Sequence, residues 1–208
     1  MRSIITLVAA LALAASLTAC QKPGSTAVTA DDMSLGNPQA KVTVIEYASV
    51  ACPHCADWNI NVFSAFKTKY IDSGRVHYIA REALVHDPAV AAAGFLTARC
   101  AGKDKYFQVV DAIYRAQGEI LASGQPRGIL LNIAKSAGLT EKQFDTCIND
   151  QKSLDAINAR WEHYVTDDKI NSTPTFVING KVYASGEMPM PQMDAAIAEA
   201  EGVKKAGS

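Results

Sequence analysis

Two cysteines, Cys52 and Cys55, enclose Pro53 and His54 in a chain of 208 residues. Two thiols at this spacing can close a disulfide and reopen it by exchange with another thiol. An apolar run at residues 41–47 precedes them, so they fall where a strand is expected to pass into a helix. This pattern predicts a site of thiol–disulfide exchange.

The residues around the two thiols predict which sulfur reacts. Only a thiolate attacks a disulfide, and the start of a helix favours negative charge at Cys52. Pro53 fits the first helical turn because its missing N–H has no intrahelical partner there. His54 adds an imidazole that can stabilise the thiolate. We therefore expect Cys52 to be the nucleophile, Cys55 to be the more buried resolving thiol, and the disulfide form to be a strong oxidant.

Metal binding is the main alternative, because a Cys-x-x-Cys pair is half of many zinc sites. No second pair of this kind follows at ligand spacing, and Ala56 stands where a haem attachment motif needs histidine. His77, His86 and His163 have no partner at ligand spacing and are interpreted as ordinary structural or surface residues. The sequence predicts neither a metal nor a cofactor.

Two further features lie near the thiols only if the fold brings them there. Glu46 is a carboxylate within the apolar run, and burial would raise its pKa and let it pass a proton to Cys55. Strand alternation would instead turn it to solvent, and the residues alone leave both possibilities open. The Thr173-Pro174 bond is of the kind that is readily cis, but such a pair more often marks a turn or the start of a strand.

The N-terminus has the pattern of an export signal, with a basic residue, an apolar stretch at residues 4–17 and a small-residue exit. Residues 17–20, Leu-Thr-Ala-Cys, resemble the lipobox of bacterial lipoproteins, which implies cleavage before Cys20 and a lipid on its sulfur. The alternative is an ordinary signal peptide cut nearby. We expect a location in the periplasm or cell envelope, where disulfides persist and the four other cysteines form two pairs.

Charge and periodicity indicate the organisation of the chain. The formal net charge of −1, without a visible cluster of lysines and arginines, argues against a nucleic-acid partner. Strand patterns flank a long helical block, and Asn179-Gly180 between two apolar runs predicts a hairpin. The expected boundaries are a signal peptide at 1–19, a tether at 20–33, an α/β unit at 34–86, an all-helical insertion at 87–170 and the rest of the α/β unit at 171–203.

These motifs, together with Val44-Ile45-Glu46-Tyr47 and Thr173-Pro174-Thr175-Phe176, resemble the DsbA-like family of thioredoxin-fold proteins from about residue 31 to residue 203. The resemblance implies an α/β thioredoxin fold with an inserted all-helical domain. It implies that Cys52 is the exposed nucleophile, that Glu46 is a buried acid, and that Thr173 and cis Pro174 help to hold a substrate peptide. The implied function is oxidation of newly exported proteins, with reoxidation by a DsbB-type membrane quinone reductase.

Two departures keep alternatives open. Thr173 stands where the best-known strong oxidases have valine, and threonine occurs in isomerase-type relatives as well as in other DsbA-like members. An isomerase or reductase is therefore the second hypothesis, and a non-catalytic binding module or chaperone is the third. The tether is too short for an oligomerisation segment, so we expect a monomer. Cys100 and Cys147 suit an extra disulfide found in some DsbA-like proteins; otherwise they are two buried free thiols.

Overall fold

The computed structural model describes residues 27–202. The predicted signal peptide at 1–19 and the predicted lipidation site at Cys20 lie outside the described residues. Within residues 27–202, no helix is both long enough and apolar enough to cross a membrane.

One mixed sheet lies at the centre of the fold. Its strands are β1 Met33–Gly36, β2 Val42–Ala48, β3 Val76–Glu82, β4 Thr175–Ile178 and β5 Lys181–Ser185. They are ordered β1-β3-β2-β4-β5, with β2 and β3 parallel and the other neighbours antiparallel. The strand that leads into Cys52 is thus the central one, and six of its seven residues are buried.

The helices complete the expected thioredoxin fold with an inserted helical domain. A long helix follows β2 as α1 Pro53–Trp58 and α2 Ser64–Phe66, with π-helical segments at Asn59–Phe63 and Lys67–Ile71. The insertion between β3 and β4 consists of α3 Pro88–Cys100, α4 Lys103–Ala122, α5 Pro126–Ser136, α6 Glu141–Ile148 and α7 Gln151–Thr166. The last helix is α8 Met190–Ala200, which packs beside β4.

Local chemistry sets the starts of two helices and the hairpin turn, which the sequence predicts. Asp87 caps α3 by accepting a hydrogen bond from the backbone N–H of Val90 at 3.0 Å. Thr140 begins α6 with a reciprocal capping box. Asn179 and Gly180 have φ values of 45° and 84°, as the predicted hairpin turn requires.

The sequence pattern does not predict β1, whose four residues lack β-branched side chains. Its place is determined by long-range contacts, since β1 pairs with β3 from Met33 opposite Ala80. The segment just before β1 is also held by β3. The buried Arg81 forms an ion pair with Asp32 at 3.3 Å and donates to the carbonyl of Ala27 at 2.8 Å. Residues 27–33, which are expected to belong to a tether, are therefore bound to the domain.

Two hydrophobic clusters meet near the cysteines. One contains Trp58, whose ring lies 4.8 Å from that of Phe176 between centroids, and it packs α1 against β4. The other includes Cys52 and Cys55 and joins the active-site loop to the helical insertion. The close approach of α3 requires glycine, because a Cβ at Gly94 would lie 2.8 Å from Cγ2 of Val50.

A disulfide joins Cys100 at the end of α3 to Cys147 in α6, with the Cα atoms 6.3 Å apart. The bridged residues are 47 positions apart in the chain. Closing a loop of that length restricts the unfolded chain and so stabilises the fold.

We predict that the double variant Cys100→Ala/Cys147→Ala loses about 4 kcal/mol of unfolding free energy, the chain-entropy value for such a loop. Urea unfolding of the oxidised proteins measures this loss, and the double variant Cys52→Ser/Cys55→Ser serves as a control for the removal of thiols. A double alanine variant as stable as the parent would contradict the prediction.

Candidate redox-active site

The loop that carries Cys52 is held from two sides. Cys52 is the N-cap of α1, with φ −90° and ψ 121°, and its N–H donates to the carbonyl of Ser49 at 3.0 Å. The buried Gln117 of α4 uses its side-chain amide to donate to the carbonyls of Val50 at 2.7 Å and Cys52 at 3.0 Å. The helical insertion thus fixes the position of Cys52.

Neither active-site thiol reaches solvent, since Cys52 and Cys55 are both 0% exposed. The expectation of an exposed Cys52 is therefore wrong for this reduced state. Cys52 is buried by a tertiary contact. The cis Thr173–Pro174 segment packs on its sulfur, which donates to the carbonyl of Thr173 at 3.4 Å. Cys55 lies deeper than Cys52 in the protein.

The surroundings of Cys52 favour its thiolate. Its pKa falls from 9.0 to about 5, first because the Cys55 thiol donates a hydrogen bond to it. Burial opposes the change, while the side chain of Thr173, the backbone N–H of Cys55 and the charge of His86 assist it. Thr173 Oγ1 is buried and, within the described part of the chain, has no partner while Cys52 is a thiol. Ionisation gives that hydroxyl an acceptor.

The pKa values of Cys55 and Glu46 shift upward, opposite to that of Cys52. Burial raises the pKa of the Cys55 thiol well above its usual value, and the neighbouring Cys52 and Glu46 raise it further. Glu46 is 4% exposed, and burial raises its pKa to about 8. The Tyr78 hydroxyl donates a short hydrogen bond to this carboxyl and partly offsets that rise. Glu46 thus faces the interior and carries a proton at neutral pH.

His54 has a stronger partner than the thiolate. Its side chain is exposed, and Nδ1 lies 2.6 Å from Oε1 of Glu187, which raises the pKa of the imidazole. With Asp57, these side chains bring three potential metal-ligand atoms within 4.8 Å of one another. All three are exposed, and no further ligand closes the group among residues 27–202, so the arrangement indicates an ion pair rather than a metal centre.

Sequence reasoning missed several residues of the site. Gln117, Tyr78 and Glu187 come from distant segments and carry no motif that links them to the thiols. His86, interpreted from the sequence as an ordinary histidine, lies close enough to Cys52 for its charge to lower the thiol's pKa. The approach of this side chain to the dithiol has no local sequence signal, since only the fold brings the two together.

A family model described as thioredoxin matches residues 28–199. The chain belongs to this family.

Individual relatives agree with this assignment. A Rickettsia bellii protein named as a protein-disulfide oxidoreductase is 32% identical over 151 residues, which are 72% of this chain and 58% of that protein. The chain therefore spans little more than half of that relative's length. The crystal structure of Wolbachia pipientis alpha-DsbA1 is 28% identical with a TM-score of 0.75, covering 84% of this chain and 93% of that one.

A more distant structure supports the fold alone. It is a protein-disulfide isomerase from Novosphingobium aromaticivorans, 20% identical with a TM-score of 0.67, and it covers 80% of this chain and 97% of that one.

The raised pKa of Glu46 predicts how stability changes with pH. Between pH 4.5 and about 8 the folded protein holds a proton on Glu46 that the unfolded chain releases, so rising pH destabilises the fold. Glu46→Gln removes this loss, at most about 1.4 kcal/mol per pH unit. Urea unfolding of both oxidised proteins at several pH values measures the difference. A difference that stays constant from pH 5 to pH 8 would show that Glu46 is not protonated in the fold.

Removal of the Thr173 hydroxyl should change both the stability of the protein and the pKa of Cys52. Thr173→Val removes a buried hydroxyl that lacks a partner while Cys52 is a thiol, so below the Cys52 pKa of about 5 the unfolding free energy of the reduced protein should rise by about 1 kcal/mol. The thiolate of Cys52 loses a donor, so the pH midpoint of its alkylation should rise. Thr173→Ser, which keeps the hydroxyl, is the control. An unchanged midpoint in the valine variant would exclude this role.

Proposed function

We propose that the chain is a thiol–disulfide oxidoreductase that introduces disulfides into exported proteins. The observation that carries this proposal is the lowered pKa of Cys52 beside the buried Cys55 and the protonated Glu46. A stabilised thiolate stabilises the reduced pair, and the corresponding disulfide is then a strong oxidant.

The reaction proceeds in two exchanges. A substrate thiolate attacks Sγ of Cys52 in the Cys52–Cys55 disulfide, and Cys55 leaves and takes up the proton of Glu46. A second substrate thiolate then attacks the substrate sulfur of the mixed disulfide and releases Cys52 as a thiolate. Two electrons pass from the substrate dithiol to the two cysteines, and no other redox group takes part.

Thr173 and Pro174 are the proposed contacts for the substrate peptide, because they cover the sulfur that must be reached. The proposed location is the periplasm or cell envelope, with a lipid anchor at Cys20, as the lipobox indicates. Reduced exported proteins are the proposed substrates, and a DsbB-type membrane quinone reductase is the proposed partner that restores the disulfide. The protein is proposed to act as a monomer.

An isomerase or reductase is the second candidate, and it is favoured by Thr173 in place of valine. Both alternatives use the same two sulfurs, so they differ in redox potential and in the substrates on which they act. A binding module or chaperone is the third candidate, and it needs neither thiol.

The equilibrium with glutathione separates an oxidase from a reductase. We expect a potential of about −180 to −120 mV, because the pKa of Cys52 resembles that of strongly oxidising dithiols. A potential near about −270 mV, the value for thioredoxin, would overturn the oxidase proposal.

Activity assays separate the remaining candidates. The protein should oxidise reduced ribonuclease faster than it reactivates scrambled ribonuclease, and Cys52→Ser should abolish both activities. The variant Cys100→Ala/Cys147→Ala, which removes the other cysteine pair and keeps Cys52 and Cys55, is the matched control. Activity that survives in Cys52→Ser would identify a binding module.

A further inference from the structure

Arg81 is a buried charged residue that the proposed exchange reaction does not use. Its Nε lies 3.3 Å from Oδ1 of Asp32, and its Nη1 lies 3.1 Å from Oδ2 of Asp168. The three side chains are each 3% exposed or less. Burying charged groups costs free energy, and in some proteins such a cluster fixes one arrangement of the segments that it joins. The segments joined by Arg81 are therefore informative.

The two carboxylates belong to different parts of the chain. Asp32 lies just before β1, whereas Asp168 lies in residues 167–174, the α7–β4 connection. Oδ2 of Asp168 also accepts a hydrogen bond from the Tyr47 hydroxyl at 2.7 Å. Strands β2 and β3, through Tyr47 and Arg81, thus hold the beginning of the α7–β4 connection against the sheet.

The remainder of the α7–β4 connection is fixed as far as the reactive sulfur. The N–H of Ile170 donates to a carbonyl near the end of α7 at 2.9 Å, and its side chain is buried in a hydrophobic cluster with residues of β2, β3 and β4. The Thr175 hydroxyl donates to the carbonyl of Ser172 at 2.8 Å. Between them lies Thr173, whose carbonyl accepts the hydrogen bond from Sγ of Cys52. A bound stretch of backbone therefore links the buried ion pair to the cover of the sulfur.

We propose that Asp168 is a positioning residue, which holds the Thr173–Pro174 segment over Sγ of Cys52 and so sets how readily other thiols reach that sulfur. Asp168 acts through the α7–β4 connection rather than by contact with the sulfur. This role rests on the proposed function, because access matters to the reaction only if Cys52 exchanges disulfides.

The variant Asp168→Asn tests this role with little change of shape. Its amide oxygen can replace Oδ2 as the acceptor, and its NH2 group can take the place of Oδ1. In the described part of the chain, Oδ1 has no hydrogen-bond partner and lies 3.7 Å from Nε2 of His163. Asp32→Asn is the matched control, because it removes a charge from the same guanidinium but lies outside the α7–β4 connection.

The measured quantity is the rate constant for alkylation of Cys52 by iodoacetamide at pH 8, in the reduced protein with the Cys100→Ala/Cys147→Ala background. This pH lies well above the Cys52 pKa of about 5, so the rate reports access to the sulfur rather than its ionisation. Asp168→Asn should raise the rate constant about fivefold, the factor between a charged and a neutral hydrogen bond, whereas Asp32→Asn should leave it within about twofold of the parent.

Cys55 distinguishes local access from loss of the fold. It is buried at 0% exposure, so it is alkylated when the domain unfolds, and mass spectrometry counts the adducts. A faster reaction with a single adduct in Asp168→Asn alone supports the proposal. Equal rate constants in the two variants, a faster reaction in Asp32→Asn, or a second adduct that accompanies the faster reaction would overturn it.

A second variant covers the case in which Asp168→Asn does not fold. Tyr47→Phe removes the hydroxyl that donates to Asp168 and keeps all three charges, so it should raise the rate constant to a smaller extent. A parental rate constant in Tyr47→Phe would also overturn the proposal. The potential against glutathione tests the proposed function, whereas the alkylation rate tests Asp168, so the two failures are distinguishable.

Discussion

Two acids share one buried site, and only one of them is ionised. Cys52 titrates at a pKa of about 5 and Glu46 at about 8, although an exposed thiol is the weaker acid of the two. Hydrogen-bond donors surround the sulfur, while the buried carboxyl has, among residues 27–202, one tyrosine donor. Environments that separate two pKa values in this way assign an acid and a nucleophile to the same site. In the proposed reaction, the thiolate is the nucleophile and the protonated carboxyl is the proton donor.

The fold maintains this separation through three loops that converge on Cys52. The loop after β2 carries the sulfur, the turn around His86 accepts a hydrogen bond from Ser49 of that loop, and the cis Thr173–Pro174 segment covers the sulfur. The helical insertion contributes Gln117, whose two hydrogen bonds fix the first of these loops. The insertion therefore contributes to the candidate redox site as well as forming a neighbouring domain.

The sequence predicted those features that depend on local chemistry. The helix start at Cys52 and the hairpin turn were predictable because each needs a particular residue type at a fixed spacing. The burial of Cys52 and the partner of His54 were not, because both depend on segments more than a hundred residues away that only the fold brings close. The residues alone left the orientation of Glu46 open, since strand alternation does not show that a central strand is buried on both faces.

The most direct measurement is the ultraviolet absorbance of the Cys52 thiolate in the reduced protein as a function of pH, with Cys52→Ser as the blank. Reduction of the Cys100–Cys147 disulfide would add two further thiols to the absorbance. Both samples are therefore made in the Cys100→Ala/Cys147→Ala background. The structure predicts one thiolate that appears with a midpoint near pH 5. A midpoint near 9, the usual value for a thiol, would contradict the central claim.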